Sequence, residues 1–441
     1  MSAASEASGV VLTPEQQAVL DAVRAGEQWV LVTGRAGTGK STLLAHLSAD
    51  SERRMVVCAP NGVAALNVGG QTVHSLFRLP IGVVANSRIF HDSQTRTLLG
   101  NIDTLVIDEV SMVNADLMDA VDRALREGRG DPRPFGGVQV VLFGDPYQLA
   151  PVPGDPEERA YFADHYRSSW FFDAHVWEQA PLTVFELREI HRQRDDRFRT
   201  LLTAVRHNRV TAEMAKVLND AGARPLPDPP PITLASRNDI VTSTNTRALA
   251  ALPGQVKTAK AEVNGDFGGR AFPADEQLRL KVGARVMFLR NDPDQRWVNG
   301  SIGEVVRIDS TVRVEVDGEV HEVLPTAWER FRYSYNAESK KLDKDVVAEF
   351  RQFPLRLAWG VTIHKSQGQT YDAAHIDLGA RAFSPGQTYV ALSRLRSLDG
   401  LYLSRPLRPR DIIVDADVDR FLREQRRTTP PAATAEAPAT R

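Results

Sequence analysis

The octapeptide GRAGTGKS at residues 34–41 constrains this chain more than any other stretch. It follows the apolar run QWVLVTG and precedes the helical run KSTLLAHLS. Every fixed position of the phosphate-loop pattern G-x-x-x-x-G-K-[ST] is met. Glycines let successive N–H groups face phosphate oxygens, provided that a buried strand delivers the loop and a helix N-terminus receives it. Gly34, Ala36, Gly37, Thr38, Gly39 and Thr42 are therefore predicted to cradle a nucleotide. Lys40 reaches its terminal phosphates and Ser41 ligates Mg²⁺. A chain carrying this unit is predicted to hold an α/β parallel sheet.

More strands of the same kind follow. MVVCAP (55–60), TLVIDE (104–109) and VQVVLFGD (138–145) are apolar without alternation, as expected of strands covered on both faces. TLVIDE places Asp108 and Glu109 at the C-terminal end of a buried strand, where open α/β sheets bind ligands. Asp108 would hold Mg²⁺ and Glu109 would orient the attacking water. FGDPYQLAPV (143–152) ends the next strand and offers Gln148. Gln148 reads either as a reporter of the γ-phosphate or as part of a Pro-bounded loop that closes the sheet. These motifs specify a nucleoside triphosphatase; a kinase or a small GTPase could carry the first two.

With 441 residues, 42% hydrophobic and 25% charged, the chain has room for two to four domains. A net charge of -2 is neutral on nucleic acid, because a strand needs local rather than total positive charge. One cysteine, Cys58, excludes a disulfide framework and a cysteine-ligated zinc. No basic leader opens the chain and no apolar run reaches about 18 residues, which predicts a cytoplasmic, unanchored protein. Residues 1–10 and 426–441 are predicted to be disordered. PITLASRN (231–238), AHIDLG (374–379) and GLYLSR (400–405) are strands of a second lobe. Between them, residues 281–353 hold closely spaced short strands, the pattern of an inserted antiparallel barrel.

The segments APNGVAALNVGGQTVHSLF (59–77), EIHRQ (189–193), RLAWGVTIHKSQGQT (356–370) and GQTYVALSRLRS (386–397) resemble the ordered motifs of superfamily-one helicases. LTPEQ (12–16) resembles the adenine-reading motif upstream of the phosphate loop. The stretch from DEVSMVNADLMDAVDRALR to PFGGVQVVLFGDPYQLAPV resembles the petite-integration-frequency (PIF) family in particular, of bacterial type and related to the RecD and Dda helicases. The likeness runs from about residue 12 to 405 in unbroken motif order.

The resemblance implies two RecA-like parallel-sheet lobes with ATP between them. It places the first lobe at 11–77 and 98–180, a strand-splitting pin at 78–97, the second lobe at 181–280 and 354–425, and an SH3-like barrel at 281–353. It implies an ATP-dependent DNA helicase that moves 5′-to-3′ on single-stranded DNA and unwinds 5′-tailed duplex; a monomer at the nucleoid is the default expectation beside it. G-quadruplex and RNA–DNA hybrid substrates, and roles in DNA repair, recombination or telomere-type maintenance, come with the family. Gln16 matches the adenine reader. Arg192 and Arg394 match the two arginines that the second lobe offers to the γ-phosphate, an arginine-finger logic. Gln367 and Gly368 match the motif between DNA and nucleotide. Pro60, Asn61, Gly62, Thr72, His74, Phe77, Thr362, His364, Lys365 and Ser366 match strand-facing positions. Asn61 stands where the family often has Thr. Phe77 suits either base stacking or the core.

Two other readings fit the same residues. A RecD-like motor subunit of a recombination nuclease complex would hydrolyse ATP but need a partner to unwind. A nucleotide-dependent DNA-binding switch would hydrolyse without stimulation by DNA.

Overall fold

The computed structural model describes residues 11–49, 53–80, 82–84, 89, 92–151, 156–190, 193, 195–265, 272–336 and 338–428. Its first lobe is built on β1 (Trp29–Gly34), β2 (Met55–Ala59), β3 (Gln71–Thr72), β4 (Thr104–Ile107), β5 (Gln139–Phe143) and β6 (Thr183–Leu187). These form one sheet in the order β3-β2-β4-β5-β1-β6, with every pairing parallel. Helices α1 (Pro14–Ala25), α2 (Lys40–Ser48), α3 (Gly62–Asn67), α4 (Val73–Phe77), α5 (Ser93–Gly100), α6 (Ala115–Arg129) and α7 (Pro156–His165) complete the lobe.

The apolar runs are explained by two cores. Val30, Val32, Val106, Val141 and Phe143 pack with Val19 and Val23 of α1 and Leu43 and Leu47 of α2. Their strand neighbours Leu31, Leu105, Ile107, Val140 and Leu142 point the other way and pack with Met118 and Val121 of α6. Successive residues of a strand face opposite sides, so a sheet covered twice needs apolar residues at every position.

The second lobe begins with α8 (Asp196–Arg206), α9 (Ala212–Gly222), β7 (Ile232–Ala235) and α10 (Asn238–Ala251). An insertion follows: β8 (Lys257–Lys260), β9 (Glu262–Gly265), β10 (Gln277–Leu280), β11 (Arg285–Phe288), β12 (Ile302–Ile308), β13 (Val312–Val316), β14 (Glu319–Val323), β15 (Thr326–Asn336), β16 (Lys341–Gln352) and β17 (Leu355–Leu357). The lobe then resumes with β18 (Gly360–Thr362), β19 (Ala374–Asp377), α11 (Gln387–Ser393), β20 (Leu401–Leu403) and α12 (Ala416–Thr428). Its sheet, β18-β7-β19-β20, is again parallel.

Several boundaries differ from those expected. β6 belongs to the first sheet beside β1, so the first lobe runs past 180 to Leu187. The insertion holds separate sheets rather than one barrel over 281–353. An open antiparallel sheet, β14-β13-β12-β11-β17, shares its core with Leu278 and Leu280 of β10, which pairs with β8. The insertion therefore starts near 257 and includes β17. β15 and β16 form a long hairpin with β9 at its side. Its tip returns to the first lobe: the Tyr333 hydroxyl accepts from the Val57 N–H at 3.4 Å, and Lys344 donates to the Gly69 carbonyl at 2.5 Å.

Within the stretch expected to be a pin, residues from Ser93 onward form α5, capped by Asp92, which accepts from the Thr95 N–H at 2.7 Å. Positions 81, 85–88, 90 and 91 lie outside the described residues, as do 1–10 and 429–441. The expected disordered tail starts too early, because α12 continues to Thr428. That helix does not stay with its own lobe. Phe421 stacks on Phe172 at 4.3 Å, Arg420 pairs with Asp173 at 2.6 Å, and Trp170 donates to Asp415 at 2.8 Å.

Leu142 is fully buried at the centre of the first sheet. Leu142→Ala is expected to lower stability by about 2–5 kcal/mol, by lost transfer energy plus a cavity. A urea unfolding series on the two proteins measures this as a lower midpoint.

Candidate nucleotide site and strand-facing surface

The phosphate loop is shaped by two glycines in the left-handed region, Gly37 (φ 84°) and Gly39 (φ 79°). Gly34 is fixed by crowding: a Cβ there would lie 2.6 Å from the Leu187 carbonyl oxygen. Lys40 donates to the carbonyls of Gly34 (2.7 Å) and Arg35 (3.1 Å), and Thr38 donates to Arg35 at 3.0 Å. Burial lowers the Lys40 pKa, while the carboxylates of Asp145, Glu109 and Asp108 oppose that shift. Ser41 is exposed on the first turn of α2, beside half-buried Thr42.

Gln16 is 4% exposed, not a solvated helix-start residue. Its side chain accepts from the Thr13 N–H at 2.9 Å and donates to the Gly39 carbonyl at 3.3 Å. The capping box that starts α1 thus also braces the phosphate loop.

Asp108 and Glu109 follow β4. Glu109 adopts a left-handed φ of 50°, a strained conformation for a non-glycine residue. Both open onto the cleft yet are walled by protein on nearly every side. Burial pushes the Asp108 carboxyl up to about 7, helped by the charge of Glu109. Burial also raises Glu109, against the attraction of Lys40 and Arg394. Such a pair suits a cation: Asp108 with the Ser41 hydroxyl offers oxygen ligands, which Mg²⁺ prefers.

Gln148 is 7% exposed at the seam between the lobes. Its side-chain oxygen accepts from Gln367 at 3.5 Å. Its carbonyl lies so near Gly386 that a Cβ there would approach to 2.2 Å. Gly368 is exposed with φ 79°. Arg394, 1% exposed, is no surface charge. It donates to the Val390 carbonyl at 3.0 Å and the Ser393 hydroxyl at 2.9 Å. Burial lowers its pKa, while Tyr389 and then Glu109 act to raise it. Arg192 lies outside the described residues. Its neighbour Gln193 donates to the carbonyls of Ser393 (3.1 Å) and Leu395 (3.2 Å), which ties that segment to the flanks of Arg394.

Three residues of the seam escaped the sequence reading. Asp145 pairs with Arg206 at 2.8 Å, with both side chains at most 1% exposed. The Tyr389 hydroxyl accepts from the Ala36 N–H at 3.3 Å and donates toward Asp145 at 3.5 Å. Tyr389 stood within a quoted motif; its burial beside an arginine was the missing signal.

The strand-facing set divides. Pro60, Gly62, His74 and His364 are half-buried, and Lys365 is exposed. Burial lowers both histidines, so each is neutral at pH 7. Lys365 is lowered first by the neighbouring Arg356 charge. Asn61 caps α3 by accepting from the Ala64 N–H at 2.9 Å, and Thr72 caps α4 by accepting from Ser75 at 3.2 Å. Thr362 accepts from the Lys365 N–H at 3.2 Å. Two expectations are corrected. Phe77 is fully buried in the first lobe's core, because α4 turns it inward, so it cannot stack on a base. Ser366 is also fully buried and donates to the Ile363 carbonyl at 2.7 Å. Its own carbonyl receives Arg394 at 3.5 Å, so it belongs to the nucleotide side.

The family profile described as PIF1-like helicase matches residues 11–220, and that of the DNA helicase Pif1 2B domain matches 270–308. An ATP-dependent DNA helicase Pif1 of Bdellovibrio bacteriovorus is 34% identical over 432 residues, which covers 94% of this chain and 92% of that protein. The chain belongs to the PIF1-like helicase family. A Bacteroides Pif1 solved with ADP-AlF4 is 34% identical with a TM-score of 0.88, over 95% of this chain and 98% of that one. The same relative bound to single-stranded DNA matches over the same shares with a TM-score of 0.70. Vertebrate relatives are longer: the chain spans 59% of the mouse protein, at 36% identity.

Asp108 holds its proton more tightly in the folded chain than at its ordinary value of 3.8. Ionising it therefore costs stability as pH rises from about 4 to about 7, and the cost is full above that window. Asp108→Asn is expected to raise the Tm of nucleotide-free, metal-free protein at pH 8, with the gain shrinking toward pH 5. Scanning calorimetry at the two pH values measures it. Phe77→Leu is expected to lower Tm yet leave affinity for single-stranded DNA within about twofold, since surface contacts carry that binding. A fluorescence-anisotropy titration at fixed salt checks this.

Proposed function

We propose that this protein is an ATP-dependent DNA helicase that moves 5′-to-3′ on single-stranded DNA and unwinds 5′-tailed duplex. One observation carries the reading: Tyr389 of the second lobe is buried with its hydroxyl on the Ala36 N–H of the phosphate loop, and Arg394, at the end of the same helix, is 1% exposed. A simple nucleotide-binding switch has no need of a cationic wall supplied by a second parallel-sheet lobe. The DNA-bound Bacteroides relative supports single strands as the partner.

Gly34, Ala36, Gly37, Thr38, Gly39 and Thr42 hold the phosphates of ATP, with Lys40 at the terminal ones. Ser41 and Asp108 would hold Mg²⁺, which would supply charge neutralisation at those phosphates. Glu109 orients and activates the attacking water. Arg394, with Arg192, stabilises charge on the γ-phosphate only when the lobes are closed, which couples hydrolysis to lobe motion. Gln148 and Gln367 lie where the nucleotide side meets Thr362, His364 and Lys365 on the strand side. Neutral imidazoles and hydroxyls bind phosphate and sugar without reading sequence, as a translocating motor requires. The protein acts as a monomer in the cytoplasm, at the nucleoid.

The test is unwinding of matched 5′-tailed and 3′-tailed duplexes, with the ATPase measured with and without single-stranded DNA. Unwinding confined to the 5′ tail is expected, with hydrolysis stimulated by DNA. Lys40→Ala should lower kcat by about 100-fold or more. Preference for the 3′ tail, or an unstimulated ATPase, overturns the reading.

A further inference from the structure

The loop Gly144–Gln148 leaves β5 anchored to its own lobe, with the Gly144 N–H on the Val32 carbonyl at 3.1 Å, but its Asp145 and Tyr147 side chains meet residues from other elements. From α8, Arg206 places one guanidinium nitrogen 2.8 Å from Asp145 and its carbon 4.2 Å from the centre of the Tyr147 ring. From α11, the Tyr389 hydroxyl lies 3.5 Å from the second Asp145 oxygen. From α12, Asp419 accepts the Tyr147 hydroxyl. Asp145 and Tyr147 lie on the first lobe and Arg206 and Tyr389 on the second, while Asp419 comes from α12, which packs back on the first.

Asp145 is the third carboxylate at this sheet edge. Its charge bears on Lys40 more strongly than that of Glu109 or Asp108. An unpaired Asp145 would compete for the lysine that nucleotide phosphates need. Arg206 gives it a different partner. A buried pair of this kind is costly to break on one side only, because the remaining charge stays in a low-dielectric seam. Opening the cleft separates the two charges and closing it reunites them. The Arg206 Nε has no hydrogen-bond partner among the described residues; the guanidinium meets Asp145, the Tyr147 ring and, at 3.5 Å, the His207 ring that caps its own helix.

We propose that Arg206 is a positioning residue for ATP hydrolysis: it latches the closed cleft by neutralising Asp145, and so sets the loop that carries Gln148. This rests on the ATPase part of the function above and not on unwinding.

The experiment uses the full chain with a fluorophore pair on Glu127→Cys and Arg247→Cys, one on each lobe. The chain's one natural cysteine, Cys58, is buried. Closure is read as the energy-transfer change on adding ADP with aluminium fluoride. DNA-stimulated kcat and the ATP KM are read beside it, and thermal unfolding reports folding. Arg206→Gln is expected to lose most of the closure signal and about 10-fold or more in kcat. Asp145→Asn/Arg206→Gln leaves no uncompensated charge and should recover at least about threefold in kcat over Arg206→Gln alone. Wild-type closure in Arg206→Gln, or a double variant no better than the single one, overturns the proposal. Arg206→Lys keeps the charge and is expected to retain at least about half of the closure signal. It is decisive should Arg206→Gln not fold, because a folded Arg206→Lys protein that fails to close overturns the latch. Failure to unwind duplex touches none of these readouts.

Discussion

Charge balance in a dry seam is the constraint on which the rest of this structure depends. Three cations, Lys40, Arg206 and Arg394, lie among three carboxylates, Asp108, Glu109 and Asp145, where the two sheets meet. Burial opposes ionisation in this place: it depresses Lys40 and Arg394 and raises Asp108 and Glu109. The six groups can coexist only because each faces opposite charge from another element. The cations come from both lobes and the carboxylates from one. Opposite charges attract across the cleft, yet at Lys40, Arg394, Asp108 and Glu109 the cost of burial outweighs that attraction.

The topology explains why the groups converge. β1, β4 and β5 are parallel neighbours, so Lys40, Asp108 and Asp145 leave the same edge of one sheet. The second lobe meets that edge with α8 and α11, which pack together and present Arg206, Tyr389 and Arg394. Substrate chemistry thus falls at strand ends, where an open α/β sheet leaves room. The strand-facing residues sit one turn away. Thr362 ends β18 and Lys365 follows it by three residues, and the carbonyl of the next residue, buried Ser366, meets Arg394. Movement of Arg394 has a direct mechanical route to Lys365.

What was legible in the sequence is what short stretches encode. The phosphate loop, the strand ending in Asp108-Glu109 and the non-alternating strands are local, because glycine conformation and two-sided burial leave marks on adjacent residues. Arg206 and Asp145 are 61 residues apart, and Tyr389 and Asp145 are 244 apart. Nothing near either residue signals such a partnership. Motif matching also misjudged depth. Phe77 and Ser366 lie in strand-facing motifs, yet a short helix and a tight turn direct both side chains inward. The expected barrel limits failed for a related reason: β8 and β10 lie before the dense run of strands, and only their packing with Leu249 and Val286 shows which core they serve.

Two long-range returns of the chain limit how far the lobes can part. The β15–β16 hairpin leaves the second lobe and ends on β2 and Gly69 of the first. α12 leaves the second lobe and ends on Phe172 and Asp173 of the first. They grip different parts of the first lobe: the hairpin meets the β2–β3 segment, and α12 meets the stretch before β6. A second lobe tied at two places cannot swing away as a free body without giving up an aromatic stack and a half-buried ion pair. A rotation that keeps one tie and strains the other costs less. The Tyr147–Asp419 contact makes α12 part of the same seam as Asp145, so strain in that tie is felt at the loop carrying Gln148. The Tyr147–Asp419 contact thus joins α12 to the loop that carries Gln148, a link that neither lobe would have alone.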